Sequence, residues 1–131
     1  ACARLSRQAD AGFANLVRDL RERGRLDRTL IIWTGEFGRT PRINANTGRD
    51  HWARCWSCVI GGGSIKGGVA AGATNVDGTA VADNATPYSS EHLMASALKG
   101  LGISLNTTYT TKNNRPKKIA NGAQPIPELF A

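Results

Sequence analysis

Residues 34 to 52 read TGEFGRTPRINANTGRDHW, and no other part of the chain gathers so many groups able to do chemistry. Glu36, Asp50 and His51 are the hard-to-borderline donors that suit zinc, manganese and similar ions. Arg39, Arg42 and Arg49, with Arg54 just beyond, offer the forked N–H donors that grip an oxyanion. The same composition also suits a polar surface loop in which acids and arginines pair with each other or with water. Spacing alone does not choose between a site and a loop.

The elements around this stretch argue for a site. Leu5, Ala9, Phe13, Leu16, Val17 and Leu20 recur at steps of three and four, which predicts an amphipathic helix over residues 3–24 with Gly24 as its stop. The run Thr29 to Trp33 is apolar and rich in β-branched residues, as expected of a strand covered on both faces in a parallel sheet. Helix, turn and buried strand make an α/β unit, and in open α/β sheets ligands bind outside the carboxyl ends of the strands, where Gly35 to Gly38 fall. Further strands are expected at Trp56 to Ile60, ending in three glycines, and around Val69 to Ala73. A second helix is expected within TPYSSEHLMASALKGLGI, with a serine cap, His92 in the first turn as a solvent-facing or capping residue, and Gly102 past the end. The Asn121-Gly122 pair is a turn signal that could close a small hairpin in the tail, residues 104 to 131.

Composition sets the outer limits. With 131 residues and 40% hydrophobic content, the chain is expected to form one unit rather than two domains. Its net charge of +7 favours anionic partners. Nothing approaches the roughly 20 apolar residues that span a bilayer, so no membrane span is expected. The start ACARLSRQAD has neither an initiator Met nor an apolar signal core, which suggests a processed or truncated chain. Cys2, Cys55 and Cys58 are an odd set; the CxxC spacing of CWSC is a weak zinc signal without a second pair, and structural thiols are the preferred reading. Lys112, Arg115, Lys117 and Lys118 form a basic cluster with one aromatic nearby and no nucleic-acid motif, so nucleic acid is an unlikely partner and a solvated loop is expected.

TLIIWTGEFGRTPRINANTGRDHW, followed by IGGGSIKGGVAAGATNVDG, HLMASALKGLGI and RPKKIANGAQPIPELF, resembles the C-terminal part of the exported bacterial family known as domain of unknown function 1501. That family is grouped with the sulfatases in the alkaline phosphatase superfamily. The resemblance covers essentially the whole chain. It implies the C-terminal portion of an alkaline-phosphatase/sulfatase-like three-layer sandwich with a mainly parallel sheet, and an exported, periplasmic or extracytoplasmic location. In the superfamily's hydrolases a strand ends in an Asp-His-Gly type sequence that binds metal, and a later histidine completes the site. Glu36-Phe37-Gly38 falls at the first motif and His51 at the second, which implies Glu36 and His51 as ligands of a divalent ion, whether zinc, manganese or calcium. Phe37 departs from the pattern, so a two-metal centre is reduced to one ion or metal binding is lost.

Arg39 and Arg49 are expected to clamp the oxyanion, by charge and location, and Asp50 either contacts substrate or orients His51. The implied reaction is attack on a phosphate or sulfate ester, so an anionic small-molecule ester is the expected substrate. The nucleophile is not recognisable: in CARLSR, Arg4 stands where the Cys-x-Pro-x-Arg pattern of sulfatases has proline. It is expected, with further Asp ligands, in an N-terminal part that this sequence does not contain. The helix and strand are likewise expected to pack against that part or against a partner protein. The other reading is a catalytically silent protein of the same fold that serves binding or assembly.

Overall fold

The computed structural model describes residues 2–130. Helix α1, Cys2–Glu22, ends as expected: Arg25 N–H returns to Leu20 O and Gly24 N–H to Arg21 O, the paired bonds that close a helix C-terminus. Only Phe13, Val17 and Leu20 on its apolar face are partly covered, and Phe13 packs its ring 4.5 Å from that of Trp33. Leu5 and Leu16 stay exposed.

A 3-10 turn at Leu26–Arg28 leads into strand β1, Ile31–Thr34. Its partner is strand β4, Cys58–Gly61, and between them the short strands β2, Gly38–Arg39, and β3, His51–Trp52, form a hairpin. The expected mainly parallel, three-layer sandwich is not what forms. β1 and β4 run antiparallel, with Ile31 opposite Gly61 and Thr34 opposite Cys58, and the sheets among the described residues are three separate two-stranded antiparallel pairs. The reason lies in the connection: a parallel pair needs a crossover, usually a helix, and residues 35–57 contain only a hairpin and loops. The apolar run of β1 is not covered on both faces either, since Ile32 and Trp33 are 41% and 44% exposed.

Gly62 explains why β4 ends in glycines. Its φ is 74°, and a Cβ there would lie 2.1 Å from Thr29 O, so only glycine lets the chain pass this close to the 3-10 turn. Gly63 N–H then bonds Leu26 O at 2.9 Å. The expected strand at Val69 to Ala73 does not form. Left-handed glycines at 68 and 72 break the extended geometry there, and the nearest pairing is an isolated bridge between Thr74 and Val81.

Helix α2, Ser90–Gly100, is capped by Ser89 in a reciprocal box: Ser89 N–H donates to His92 Nδ1 at 3.1 Å, so His92 is the capping residue expected. The core sits on this helix. Ala95, Ser96 and Ala97 are buried with Ile126 and Leu129 of the C-terminal segment. The helix end rests on Leu30 and Ile65, within 3.6 Å and 3.3 Å of where a Gly100 Cβ would stand. The tail hairpin pairs β5, Thr108–Thr110, with β6, Pro116–Lys118, but turns at residues 112–114 instead of at Asn121-Gly122. Asn114 takes the left-handed conformation that a three-residue loop requires, while Asn121, also left-handed, lies at a kink in the later turn Ile119–Gly122. Lys112, Arg115, Lys117 and Lys118 are all exposed on this hairpin.

Tyr88 ties the entry of α2 to the C-terminal turn, its hydroxyl donating to Glu128 at 2.8 Å and 3.0 Å from the two oxygens. Burial of the ring and then the Glu128 bond and charge push the Tyr88 hydroxyl above its ordinary 10.0. A raised folded value means that the contribution is fully present below pH 10.0 and is lost as pH climbs through the folded value. Tyr88→Phe is expected to lower stability at pH 7 by about 1 kcal/mol, the value of a charge-assisted bond discounted for exposure, or about 4 °C in Tm. Thermal melts at pH 7 check it, and identical melting of the two proteins would refute it.

Candidate functional site

The β2–β3 hairpin brings the sequence-selected residues together. Arg39 and His51 are direct cross-strand partners, and Gly38 faces Trp52. Phe37 lays its ring 4.2 Å from the His51 imidazole at 46°, and the Arg39 guanidinium carbon stands 5.3 Å from the Phe37 ring centre. Arg39 also reaches Glu36, Nη2 to Oε1, at 4.0 Å. Glu36, Phe37, Arg39 and His51 therefore form one chain of contacts at the end of β1, with Glu36 69% and Arg39 50% exposed.

The loop between the two strands is held by its own polar groups. Asn44 Oδ1 accepts from the N–H groups of Asn46 and Gly48, both at 3.0 Å, and Thr47 stands at a φ of 57°, uncommon for a β-branched residue. Asn44 Nδ2 donates to Asp50 Oδ1 at 2.8 Å. Thr40 N–H bonds Asp50 O at 2.9 Å, and Asp50 N–H returns to Thr40 Oγ1 at 3.0 Å. Asp50 thus holds the loop through Asn44 and Thr40. Arg49 folds back on the same loop, donating to Thr40 O at 2.7 Å and also to Pro41 O. Arg42 is exposed, and Arg54 stands over the Trp52 ring at 5.7 Å.

Two contacts fix the hairpin to the rest of the chain. Trp52 Nε1 donates to Thr79 O at 3.1 Å, and Pro41 packs beneath the 75–80 turn, 3.5 Å from where a Gly78 Cβ would be. That turn is organised by Asn75, whose Oδ1 accepts from the N–H groups of Thr79 and Ala80. Thr40, Asn44 and Asn75 were not picked out from sequence. Each is a residue that bonds its own backbone in a turn, and that propensity was the available signal.

Among the described residues no three His, Cys, Asp or Glu side chains gather closely enough to hold a metal ion. Glu36 and His51 offer a carboxylate and an imidazole, half of a four-ligand set. Cys55 and Cys58 are free thiols in the wall of a separate cleft, and burial pushes the Cys58 thiol upward, away from the thiolate that metal binding and nucleophilic attack require.

The family model described as "Protein of unknown function (DUF1501)" matches residues 1–130. The chain belongs to this family. No curated protein and no solved structure matches it. In this DUF1501 chain, no helix among the described residues is long and apolar enough to cross a membrane. The residues that carry the family resemblance, GEFGRTP and GRDHW, are the two halves of the β2–β3 hairpin of this DUF1501 chain.

Proposed function

We propose that this chain carries part of the site of an exported, sulfatase-like ester hydrolase, with Glu36 and His51 as ligands of one divalent ion and Arg39 as the clamp for a phosphate or sulfate ester. One observation carries the reading: cross-strand pairing sets Arg39 opposite His51 while the same guanidinium reaches Glu36. An anionic ester held by Arg39 would lie beside both donors. The donor types fit zinc or manganese, with calcium the oxygen-rich alternative, and such an ion supplies Lewis acidity toward the ester oxygens.

The chain's own residues do the rest of the work assigned here. Arg39 binds the equatorial oxygens, and the tilted Phe37 ring packs against the imidazole and limits its movement. Arg49 spends part of its fork on Thr40 and Pro41, and its remaining N–H groups are free to add a second clamp. Asp50 keeps the loop closed beside His51. The nucleophile and the further ligands come from another segment of the polypeptide or from a partner protein, in an extracytoplasmic compartment.

A catalytically silent role in binding or assembly is the second reading, and Phe37 favours it, because an apolar ring lies against His51 at the position where the hydrolases carry a ligand. Metal analysis of the full-length protein separates the two. The hydrolase reading expects about one divalent ion per chain and a loss of tenfold or more in metal affinity in His51→Ala. Negligible metal in both proteins would eliminate it.

A further inference from the structure

β1 covers one edge of β4, and among the described residues nothing pairs with the other edge. A cleft of about 610 Å³ opens beside β4, lined by Arg54 to Ile60 on one wall and Lys66 to Thr74 on the other, with no residue of β1 in its lining. The second wall is an irregular segment, bent at Gly67 and Gly68 and left-handed at Gly68 and Gly72, in which, among the described residues, no backbone N–H or C=O from position 67 to 72 takes part in a backbone hydrogen bond. Two lines of unpaired main chain thus face one another across a single slot. Its floor is apolar, with Ile60, Leu93, Ile126 and Leu129 contributing. Among the described residues, the charged side chains in the lining are Arg54 and Lys66, both cationic.

We propose that this slot binds an extended peptide strand, apolar on alternate residues and carrying a carboxylate, which adds to the free edge of β4. The chemistry follows from the walls. Unpaired main-chain donors and acceptors are satisfied best by another main chain in β geometry, which supplies affinity while alternate side chains supply selectivity. Every second side chain of the incoming strand points to the Ile60, Leu93 and Ile126 floor, and the acidic group neutralises Arg54 or Lys66. β4 has four residues, about 13 Å of strand, so the contact is short and alternation matters at each position. The small side chains of the facing wall, Gly67, Gly68, Ala70, Ala71 and Gly72, let that backbone approach closely.

The test uses the full chain and a fluorescein-labelled hexapeptide of alternating valine and threonine ending in two glutamates, read by anisotropy and by amide exchange. Saturable binding is expected, with slowed exchange at Cys58–Gly61 and at positions 67–72. The same peptide N-methylated at alternate residues is expected to bind at least tenfold more weakly. Arg54→Glu combined with Lys66→Glu should weaken the glutamate-ended peptide by a similar factor and favour a lysine-ended one, which keeps the test informative even if an Ala71→Trp block misfolds. Equal binding of the parent and N-methylated peptides would overturn the proposal, as would no binding of either. Slowed exchange of the same amides in the chain alone, rising with its concentration, would overturn it in favour of a second copy as the occupant.

Discussion

Replacing Gly38 by alanine is expected to destroy the β2–β3 hairpin. A Cβ at this position would stand 1.8 Å from Cys55 O and 2.9 Å from both Cys55 C and Trp52 O, and all three are main-chain atoms that no side-chain rotation can move. The strand must either separate from β3 or push the 52–55 turn outward. Overpacking of this kind costs about 3 kcal/mol, and backbone against backbone places it at the upper end. Because Arg39 follows directly and pairs with His51, the cluster of Glu36, Phe37, Arg39 and His51 disperses with it. Denaturant melts measure the loss, and the ring contact between Phe37 and His51, visible by proton NMR, reports the local collapse. Gly48→Ala in the same loop is the control: its Cβ would find only the Asn44 side-chain amide, at 3.6 Å and 3.9 Å, and stability should hold within about 0.5 kcal/mol. A Gly38→Ala protein with native stability and the Phe37–His51 contact intact would show that the hairpin is not packed as described.

The second large effect is expected at Ser96, which is 0% exposed. Its hydroxyl donates to His92 O at 2.8 Å and accepts from Ile126 N–H at 2.8 Å, so one buried oxygen joins α2 to the segment bearing Ile126 and Leu129. Ser96→Ala leaves the Ile126 N–H buried without a partner, at a cost of about 2 kcal/mol. The core consists of only a few side chains, so the loss reaches the whole C-terminal segment. Exchange of the Ile126 amide should accelerate more than that of amides in α1, and unchanged exchange at Ile126 would refute the assignment.

How much of this was legible in the sequence differs by element. Both long helices could be read, because apolar residues recur at helical steps and because Gly24, Ser89 and His92 are local capping signals that need no tertiary partner. β1 and β4 could be read as strands but not as antiparallel partners. Their apolar runs suit a strand buried in a parallel sheet and equally a ribbon with exposed faces, and the direction is decided by what lies between them. Thr40, Asn44 and Asp50 make that intervening segment a self-bonded hairpin, through contacts six to ten residues apart that no periodicity reports. The tail hairpin shows a similar competition: Asn121-Gly122 is the stronger turn signal, yet the chain turns at residues 112–114, because pairing Tyr109 with Lys117 places Asn113 at the apex and Asn114 takes the left-handed conformation after it. In the candidate site, residue types pointed to Glu36, Arg39 and His51, and the structure sets them in one chain of contacts. Sequence could not foresee where Asp50 and Arg49 direct their bonds, since both lie beside His51 or Arg39 in space and turn instead to the loop.

Helix α1 extends for about 30 Å, yet among the described residues its hold on the strands is the tilted ring contact of Phe13 with Trp33. A segment so lightly attached opens without waiting for global unfolding, so its amide protons should exchange at a free energy well below that of α2. Limited proteolysis near Arg23 and Arg25 would then release the helix while the Ser96-centred core stays folded, dividing the polypeptide into an early-melting arm and a late-melting body.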